Sequence, residues 1–261
     1  MSFWFARPHA VVSVAASQAA TGFPDDNLVH DQIGVIWKSN NLTAVTIDVE
    51  FAAVTEVDVV GVVANNGTAA GTFDLRGAAT QGGLAGAGVI ASANLRASPS
   101  LAKTGYRKGL IDLAAPVSHT WYRVSLTDAA NPDGFFRFGR LVLAKAWRPS
   151  RNPGIPREWG VQDNTILHVT DGHAIVPEAR GRHTVMRLPV DFLTEEEREV
   201  MIEDLLMEHG ADAQLLVRRP SNAAAYLENQ LYFGSLKATR LPRLANRAAH
   251  FSVRLELTAQ I

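Results

Sequence analysis

Three aspartates close together near the N-terminus are the first candidates for chemistry. Asp25, Asp26 and Asp31 fall within one short polar segment, and loops carry function more often than a buried core does. Two carboxylates can cleave a glycosidic bond once folding brings them to the right separation. Aspartate is also a common turn former, and Asp26 with Asn27 would then only cap a short turn. The sequence leaves both interpretations open.

Other catalytic motifs are missing from the sequence. It contains no Gly-x-Ser-x-Gly, no Gly-rich phosphate loop ahead of Lys-Ser/Thr and no His-Glu-x-x-His. The eight histidines are scattered; His168 and His173 flank a predicted turn, which favours a structural or surface role over a zinc site. We therefore predict no catalytic residue and a protein that is not an enzyme.

Composition narrows the class of protein further. The chain has 261 residues, 47% hydrophobic and 20% charged, which indicates a folded protein with room for two domains. A formal net charge of −1 predicts no general attraction to nucleic acid. No apolar run approaches the roughly 18–20 residues of a membrane span, and no secretory signal is recognised, so neither membrane insertion nor export is expected. The absence of cysteine fits folding in a reducing cytosol.

The elements that must position any site are mostly β-strands. Period-two alternation predicts strands at 45–51, 57–63, 71–76, 122–127 and 136–143. Many short strands with turn signals and no long helical period indicate an antiparallel sandwich. Residues 77–105 are rich in small residues and are interpreted as a surface loop, or alternatively as a tip that orders against a neighbouring subunit.

A proline-rich stretch divides the chain. Residues 149–160 contain several prolines and a glycine and are predicted to link residues 1–148 to a second domain at 161–261. The second domain reads as strands around one helix at 195–209. Thr194 and Glu197 have the spacing of a capping box at the start of that helix, and its apolar stripe is interpreted as core.

The segment from Phe23 to Ser39 and the strands after it carry a resemblance. Asn27-Leu28, Asp31 and Trp37-Lys38-Ser39 precede the strand Ile47-Asp48-Val49, and Trp121-Tyr122-Arg123 and Phe138-Gly139-Arg140-Leu141 come later. This order resembles discoidin-like domains, also called coagulation factor 5/8 C-type or galactose-binding-like. The resemblance implies an N-terminal jelly-roll β-sandwich plus a smaller C-terminal β-rich domain. Its signature positions here are Asn27, Trp37, Asp48, Trp121, Arg123 and Gly139.

The same resemblance implies a structural calcium ion in some members. Asp26 and Asp31 lie in the matching loop, and Asp31 would supply a carboxylate beside backbone carbonyls, the hard oxygen donors that Ca²⁺ prefers. Sugar-binding positions in the family vary, so no ligand-binding residue is predicted. Trp37 is expected to fill one end of the sandwich core, and Asp48 to hold a neighbouring loop.

Two functions are expected from this pattern. The two-domain order is similar to virion proteins of tailed bacteriophages, which implies a structural component of a tail tip or baseplate. Such a protein would assemble with itself into a ring and contact other tail proteins. The alternative is a carbohydrate-binding module that attaches to a glycan of the host surface. We expect localisation in the virion tail after synthesis in the host cytoplasm, whereas the alternative module could also be free-standing.

Overall fold

The computed structural model of the protein describes residues 3–97, 107–152, 158–169, 175–178, 182–199, 214–219, 230–244 and 251–259. It forms two compact units. The first comprises Met1–Arg148 and Gln214–Leu231, and the second comprises Pro149–Ala213 and Tyr232–Ile261. The mainly β architecture expected from the sequence is confirmed. No helix in the described part of the chain is long and apolar enough to cross a membrane.

The first unit contains the longest strands. In chain order they are β1 (Trp4–Ala6), β2 (Ser13–Ala16), β3 (Trp37–Lys38), β4 (Val45–Asn65), β5 (Thr72–Ala78), β6 (Ala91–Asn94), β7 (Arg107–Thr127), β8 (Arg137–Phe138), β9 (Arg140–Ala144), β10 (Ala146–Trp147) and β15 (Gln214–Arg218). Two 3-10 helices lie between them, at Asp25–Val29 and Gln81–Ala85.

The main sheet of this unit has the strand order β2-β4-β7-β5-β6, and β9 also pairs with β4. The two predicted strands at 45–51 and 57–63 are one strand, β4, whose pairing with β7 shifts register between Glu50 and Thr55. Alternate residues of β4, β5 and β7 point inward and meet in a core that includes Ile47, Leu75 and Val124. Their burial removes apolar surface from water, which is the main stabilising term.

The predicted division of the chain differs from the structure in one respect. The boundary after residue 148 coincides with a limit of the first unit, but residues 214–231 belong to that unit rather than to a continuous domain at 161–261. The reason is strand pairing: β15 pairs with β1, which pairs with β10 on its other edge. Leu216 of β15 also packs on Gly61, where a Cβ atom would lie 2.7 Å from its Cδ2.

The small-residue stretch at 77–105 contains more structure than a surface loop. Its described part holds the end of β5, the 3-10 helix and β6, and Leu84 and Leu95 are fully buried. Two buried leucines anchor the stretch to the core, which local composition did not reveal. Residues 98–106 of this stretch lie outside the described residues.

The second unit is mainly antiparallel β-structure. Its strands are β11 (Glu158–Asp163), β12 (Ile166–Val169), β13 (Ile175–Glu178), β14 (Arg182–Leu193), β16 (Leu231–Leu244) and β17 (Phe251–Ala259). Four of them pair in the order β16-β17-β14-β11, and β12 and β13 form a separate hairpin. Cross-strand apolar pairs between β14 and β17, such as Met186 with Leu257 and Leu188 with Leu255, supply its core.

The predicted helix begins where the capping box places it. Helix α1 spans Glu195–Arg198. The Glu197 backbone N–H donates to Thr194 Oγ1 (3.1 Å), and the Thr194 N–H donates to Glu197 Oε2 (2.9 Å), so the capping box is confirmed. The remainder of the predicted helix, residues 200–209, lies outside the described residues.

Candidate functional site

Polar side chains hold the segment from Phe23 to Ser39 in place through hydrogen bonds within the first unit. The Asp25 carboxylate accepts hydrogen bonds from the Ala16 backbone N–H (3.0 Å) and from the Trp37 indole N–H (3.2 Å). The Asn27 amide donates to the Ile36 carbonyl (2.8 Å). Asp25 is therefore a structural tie between β2 and Trp37, which favours the turn-forming interpretation of this carboxylate.

Trp37 lies where the sequence places it. Its side chain is fully buried, and its ring lies 5.6 Å from the ring of Phe138, its direct partner across β3 and β8. Side chains of successive residues in a strand point to opposite faces. The next pair in register, Lys38 and Arg137, therefore points away from the core, on the same outer side.

Lys38 lies against two aromatic rings. Its ammonium nitrogen is 3.6 Å from the centroid of the Phe135 ring and 5.8 Å from that of Phe23. All three side chains are half-buried. Within the part of the chain that the structure describes, no ion pair involves Lys38. Phe23, Lys38, Phe135 and Arg137 are called the loop-end site below.

The backbone beneath Phe135 is held in place by buried or nearly buried amides. The Phe135 carbonyl accepts from the amides of Asn66 (2.9 Å) and Asn131 (3.4 Å), and the Asn66 amide oxygen accepts from the Arg137 N–H (2.9 Å). The Phe136 N–H donates to Ser39 Oγ (2.8 Å). Phe135 is thus presented to solvent from a fixed backbone, which lowers the entropy lost when a ligand binds.

Two aspartates near Phe135 in sequence also accept hydrogen bonds from the loop after β4. Asp133 accepts a hydrogen bond from the Asn66 amide (2.8 Å). Asp128 is buried and accepts from the backbone N–H and hydroxyl of Thr68, both at 2.6 Å. Both carboxylates therefore join the loop after β4 to the loop before β8.

The two predicted calcium ligands have different environments. Asp26 is exposed on the 3-10 helix, and Asp31 is exposed and pairs with the buried guanidinium of Arg140 at 3.4 Å. Burial lowers the pKa of Arg140, and the charge of Asp31 acts in the opposite direction. Among the described residues no group of three or more His, Asp or Glu side chains could hold a metal. A calcium ion here stays a prediction, and backbone carbonyls would have to supply most of its ligands.

Asp48, Arg123 and Trp121 come together on the outer face of the main sheet. The Arg123 guanidinium donates to both oxygens of Asp48, at 2.6 and 2.8 Å, and this hydrogen bonding raises the pKa of Arg123. Gln81, at the start of the second 3-10 helix, donates to Asp48 at 3.5 Å. Trp121 is half-buried opposite Glu50. The Asp48–Arg123 ion pair is largely shielded from water, and we therefore interpret it as a structural contact.

Gly139 is required by close packing. A Cβ atom there would lie 2.6 Å from the Ile33 carbonyl oxygen and 2.8 Å from the Ala64 Cβ. The predicted signature position thus lets the loop at 31–36 approach the start of β9.

His168 contacts Glu178 at 2.9 Å on the exposed hairpin, and His173 lies outside the described residues.

The loop-end site was not predicted from the sequence. A usable signal was present: Phe136 and Phe138 alternate as core residues, which leaves Arg137 on the outer face. The approach of Lys38 to Phe135 depends on the pairing of β3 with β8, which no local pattern specifies.

Comparisons with known proteins give likenesses in structure alone. No family model matches the sequence, and no curated protein matches it. The structure is similar to carbohydrate-binding modules of family 32. One, from C. perfringens NanJ in complex with galactose, is 11% identical, with 54% of this chain and 99% of that chain covered and a TM-score of 0.43.

Two further modules of the same family are similar over about the same part of the chain. The module of AlyQ in complex with 4,5-unsaturated mannuronic acid is 15% identical, with 52% and 96% covered and a TM-score of 0.40. A third, from a family 31 glycoside hydrolase of Clostridium perfringens, is 14% identical, with 50% and 87% covered and a TM-score of 0.40. At identities and TM-scores this low, the similarity concerns the fold and says nothing about ligands.

Proposed function

We propose that the protein is a non-catalytic glycan-binding protein and that the loop-end site holds the sugar. The observation that carries this proposal is Phe135: a half-buried aromatic ring on a backbone fixed by Asn66, Asn131 and Ser39. Binding sites combine apolar and aromatic surface with a few well-placed polar groups. A phenyl ring can pack against the C–H face of a pyranose. The Lys38 ammonium lies over one face of the Phe135 ring, so the sugar would use the other face or displace the ammonium, which can donate to hydroxyl oxygens.

A glycan array followed by calorimetry tests this function. The whole chain is expected to bind at least one class of cell-surface glycan with a millimolar or tighter Kd. Phe135→Ala is expected to weaken that binding up to about tenfold, since a tenfold change in Kd corresponds to about 1.4 kcal/mol, near the upper end of what a stacked ring contributes. Trp121→Ala is the matched control, because Trp121 is a half-buried aromatic residue on a different surface of the same unit.

Three outcomes separate the possibilities. Loss of binding in Phe135→Ala with retention in Trp121→Ala supports the loop-end site. Loss only in Trp121→Ala moves the site to the face of the main sheet and contradicts the assignment. Silence of the wild-type chain across host-surface glycans overturns the glycan-binding function.

A second candidate function is a structural role in a phage tail tip or baseplate, within a ring of copies. The observation that favours it is the β12–β13 hairpin, on which Leu167, Val169 and Ile175 are 62%, 66% and 64% exposed. Val169 is paired with Ile175, and Leu167 with Pro177, so these apolar side chains share one face. A two-stranded hairpin is marginal by itself, and an exposed apolar face of this kind is typical of an assembly surface.

Sizing by light scattering and mass spectrometry of purified virions test the second candidate. A ring component is expected to self-associate with increasing concentration and to be present in virions. Val169→Lys is expected to reduce association, while His168→Lys, on the opposite face of the same strand, is expected to leave it unchanged. A chain that stays monomeric and is absent from virions would contradict the tail assignment and its localisation.

A further inference from the structure

Arg140 places a buried guanidinium at the start of β9. Its side chain is 7% exposed. The backbone around it is fixed, because Arg140 pairs with Val63 of β4 and the Gly139 N–H donates to the Val63 carbonyl (3.0 Å). An arginine keeps its charge at any ordinary pH, so this position puts a permanent positive charge inside the first unit. A buried charge is costly unless an opposite charge compensates it.

Asp31 compensates this charge from the loop at 31–36. Its Oδ1 atom lies 3.4 Å from Arg140 Nη2, and within the described residues no other carboxylate pairs with Arg140. Burial lowers the pKa of Arg140, and the charge of Asp31 raises it. The same loop packs on Gly139, where a Cβ atom would lie 2.6 Å from the Ile33 carbonyl oxygen. The loop therefore meets the start of β9 through a charge contact and a close packing contact.

The donor set of this loop does not fit a calcium ion. Calcium takes roughly six to eight oxygen ligands, several of them usually carboxylates. An ion bound to Asp31 Oδ1 would lie within about 6 Å of the Arg140 guanidinium, and the two positive charges would repel each other. Asp26 is exposed, and among the described residues no three acidic or histidine side chains come together to offset this repulsion.

We propose that the Arg140 guanidinium takes the place of the structural calcium ion that the family resemblance implies, so that the loop at 31–36 is held without metal. The chain itself then supplies the cation: Arg140 neutralises Asp31 and keeps it against β9. A charge attached to the chain is present at every calcium concentration, and it loses no translational freedom when the contact forms. This inference is independent of the proposed glycan-binding function.

Thermal melts of the whole chain test whether the loop needs calcium. After dialysis against a chelator, melting temperatures are measured in EGTA, in about 10 mM calcium chloride and in about 10 mM magnesium chloride, which controls for ionic strength. This concentration is above the Kd of even weak protein calcium sites, about 1 mM. The three melting temperatures are expected to agree within about 1 °C. A rise in calcium that Asp31→Asn abolishes would overturn the proposal.

Hydrogen exchange of the loop amides tests the part played by Arg140. In the wild-type background, Asp31→Asn is expected to speed exchange at residues 33–36 about threefold or more. In the Arg140→Met background it is expected to have little effect, since the charge that Asp31 compensates is gone. Asp26→Asn is the matched control: it changes an exposed aspartate of the same segment, and exchange at 33–36 is expected to stay unchanged in both backgrounds.

The exchange rates decide between the arginine and another partner. An effect of Asp31→Asn that appears only while Arg140 is present supports the proposal. An equal effect in both backgrounds contradicts it, because Asp31 then holds the loop through a different group. If Arg140→Met does not fold, the wild-type background still gives an answer: equal exchange in Asp31→Asn and Asp26→Asn would show that the contact with Arg140 does not hold the loop.

Discussion

Arg123 binds Asp48 across β4 and β7 through two parallel hydrogen bonds of 2.6 and 2.8 Å, and the two residues are direct partners in register. The exposed fractions of their side chains are 22% and 9%. A charge-assisted bidentate contact with so little exposure is stronger than an ordinary surface ion pair. It fastens the two longest strands of the first unit to each other.

Replacement of Asp48 by asparagine is expected to lower the free energy of unfolding by about 2 kcal/mol. Removing one partner leaves the other charge poorly compensated, and partial exposure keeps the loss below the 3–5 kcal/mol typical of fully buried pairs. Urea titration monitored by tryptophan fluorescence measures the change. Glu50→Gln, two residues along the same face, is the control; an equal loss there would mean that the ion pair has no special role.

Gly139→Ala is expected to destabilise the first unit by about 2 kcal/mol, because the new Cβ would overlap the Ile33 carbonyl and the Ala64 Cβ. Gly34→Ala is the matched control, since a Cβ there meets nothing within 4 Å. Differential scanning calorimetry of the two variants measures the effect. Equal melting temperatures would show that the 31–36 loop gives way easily.

Tyr122→Phe is expected to lower the free energy of unfolding by about 1–2 kcal/mol near neutral pH. The hydroxyl lies 2.7 Å from the Thr55 carbonyl and 2.8 Å from the Val117 carbonyl, and it accepts from the His119 N–H at 3.1 Å. Its loss leaves these backbone groups without that partner.

Ionisation of the same tyrosine is expected to lower the stability of the folded chain at alkaline pH. Burial raises the pKa of Tyr122 to about 12 from the ordinary value of 10. Between these values the folded chain holds more protons than the unfolded one, so stability falls as pH rises from about 10 to about 12. Unfolding curves at pH 9 and pH 11 measure this fall, which is expected to be smaller in Tyr122→Phe. An unchanged fall in the variant would assign it to other groups.

Protonation of His9 is expected to lower the stability of the folded chain in mild acid. Burial lowers its pKa below 6.5, partly opposed by the nearby Glu56 carbonyl. The unfolded chain then binds more protons than the folded chain just below pH 6.5, so stability falls as pH drops through that range. Melting temperatures between pH 7.5 and pH 5 are expected to fall less steeply for His9→Asn than for the wild type. A steeper or identical fall would contradict this origin.

Calcium, if bound at the Asp26–Gly34 loop, is expected to raise the melting temperature. At a calcium concentration about 100 times Kd the stabilisation would be about 2.7 kcal/mol. The calcium-dependent difference is measured within each of the wild type, Asp31→Asn and Asp26→Asn, because Asp31→Asn also weakens the contact with Arg140. A wild-type chain whose melting temperature is the same in calcium and in chelator has no such site.

The sequence by itself determined the local elements of this protein. Alternating apolar residues predicted strands within β4, β5, β7 and β9, the Thr194–Glu197 spacing predicted the start of the helix, and the order of the signature residues predicted a sandwich. These features depend on neighbours a few residues apart, whose side-chain periodicity is readable directly.

Only the tertiary structure decided which distant residues meet. It placed β15 in the first unit, joined Asp48 to Arg123, and set Lys38 opposite Arg137 beside Phe135. Strand register is fixed by the packing of whole faces, and a shift of one residue would turn every side chain to the other side of the sheet. For that reason the candidate ligand site could not be found from local pattern, although each of its residues was visible in the sequence.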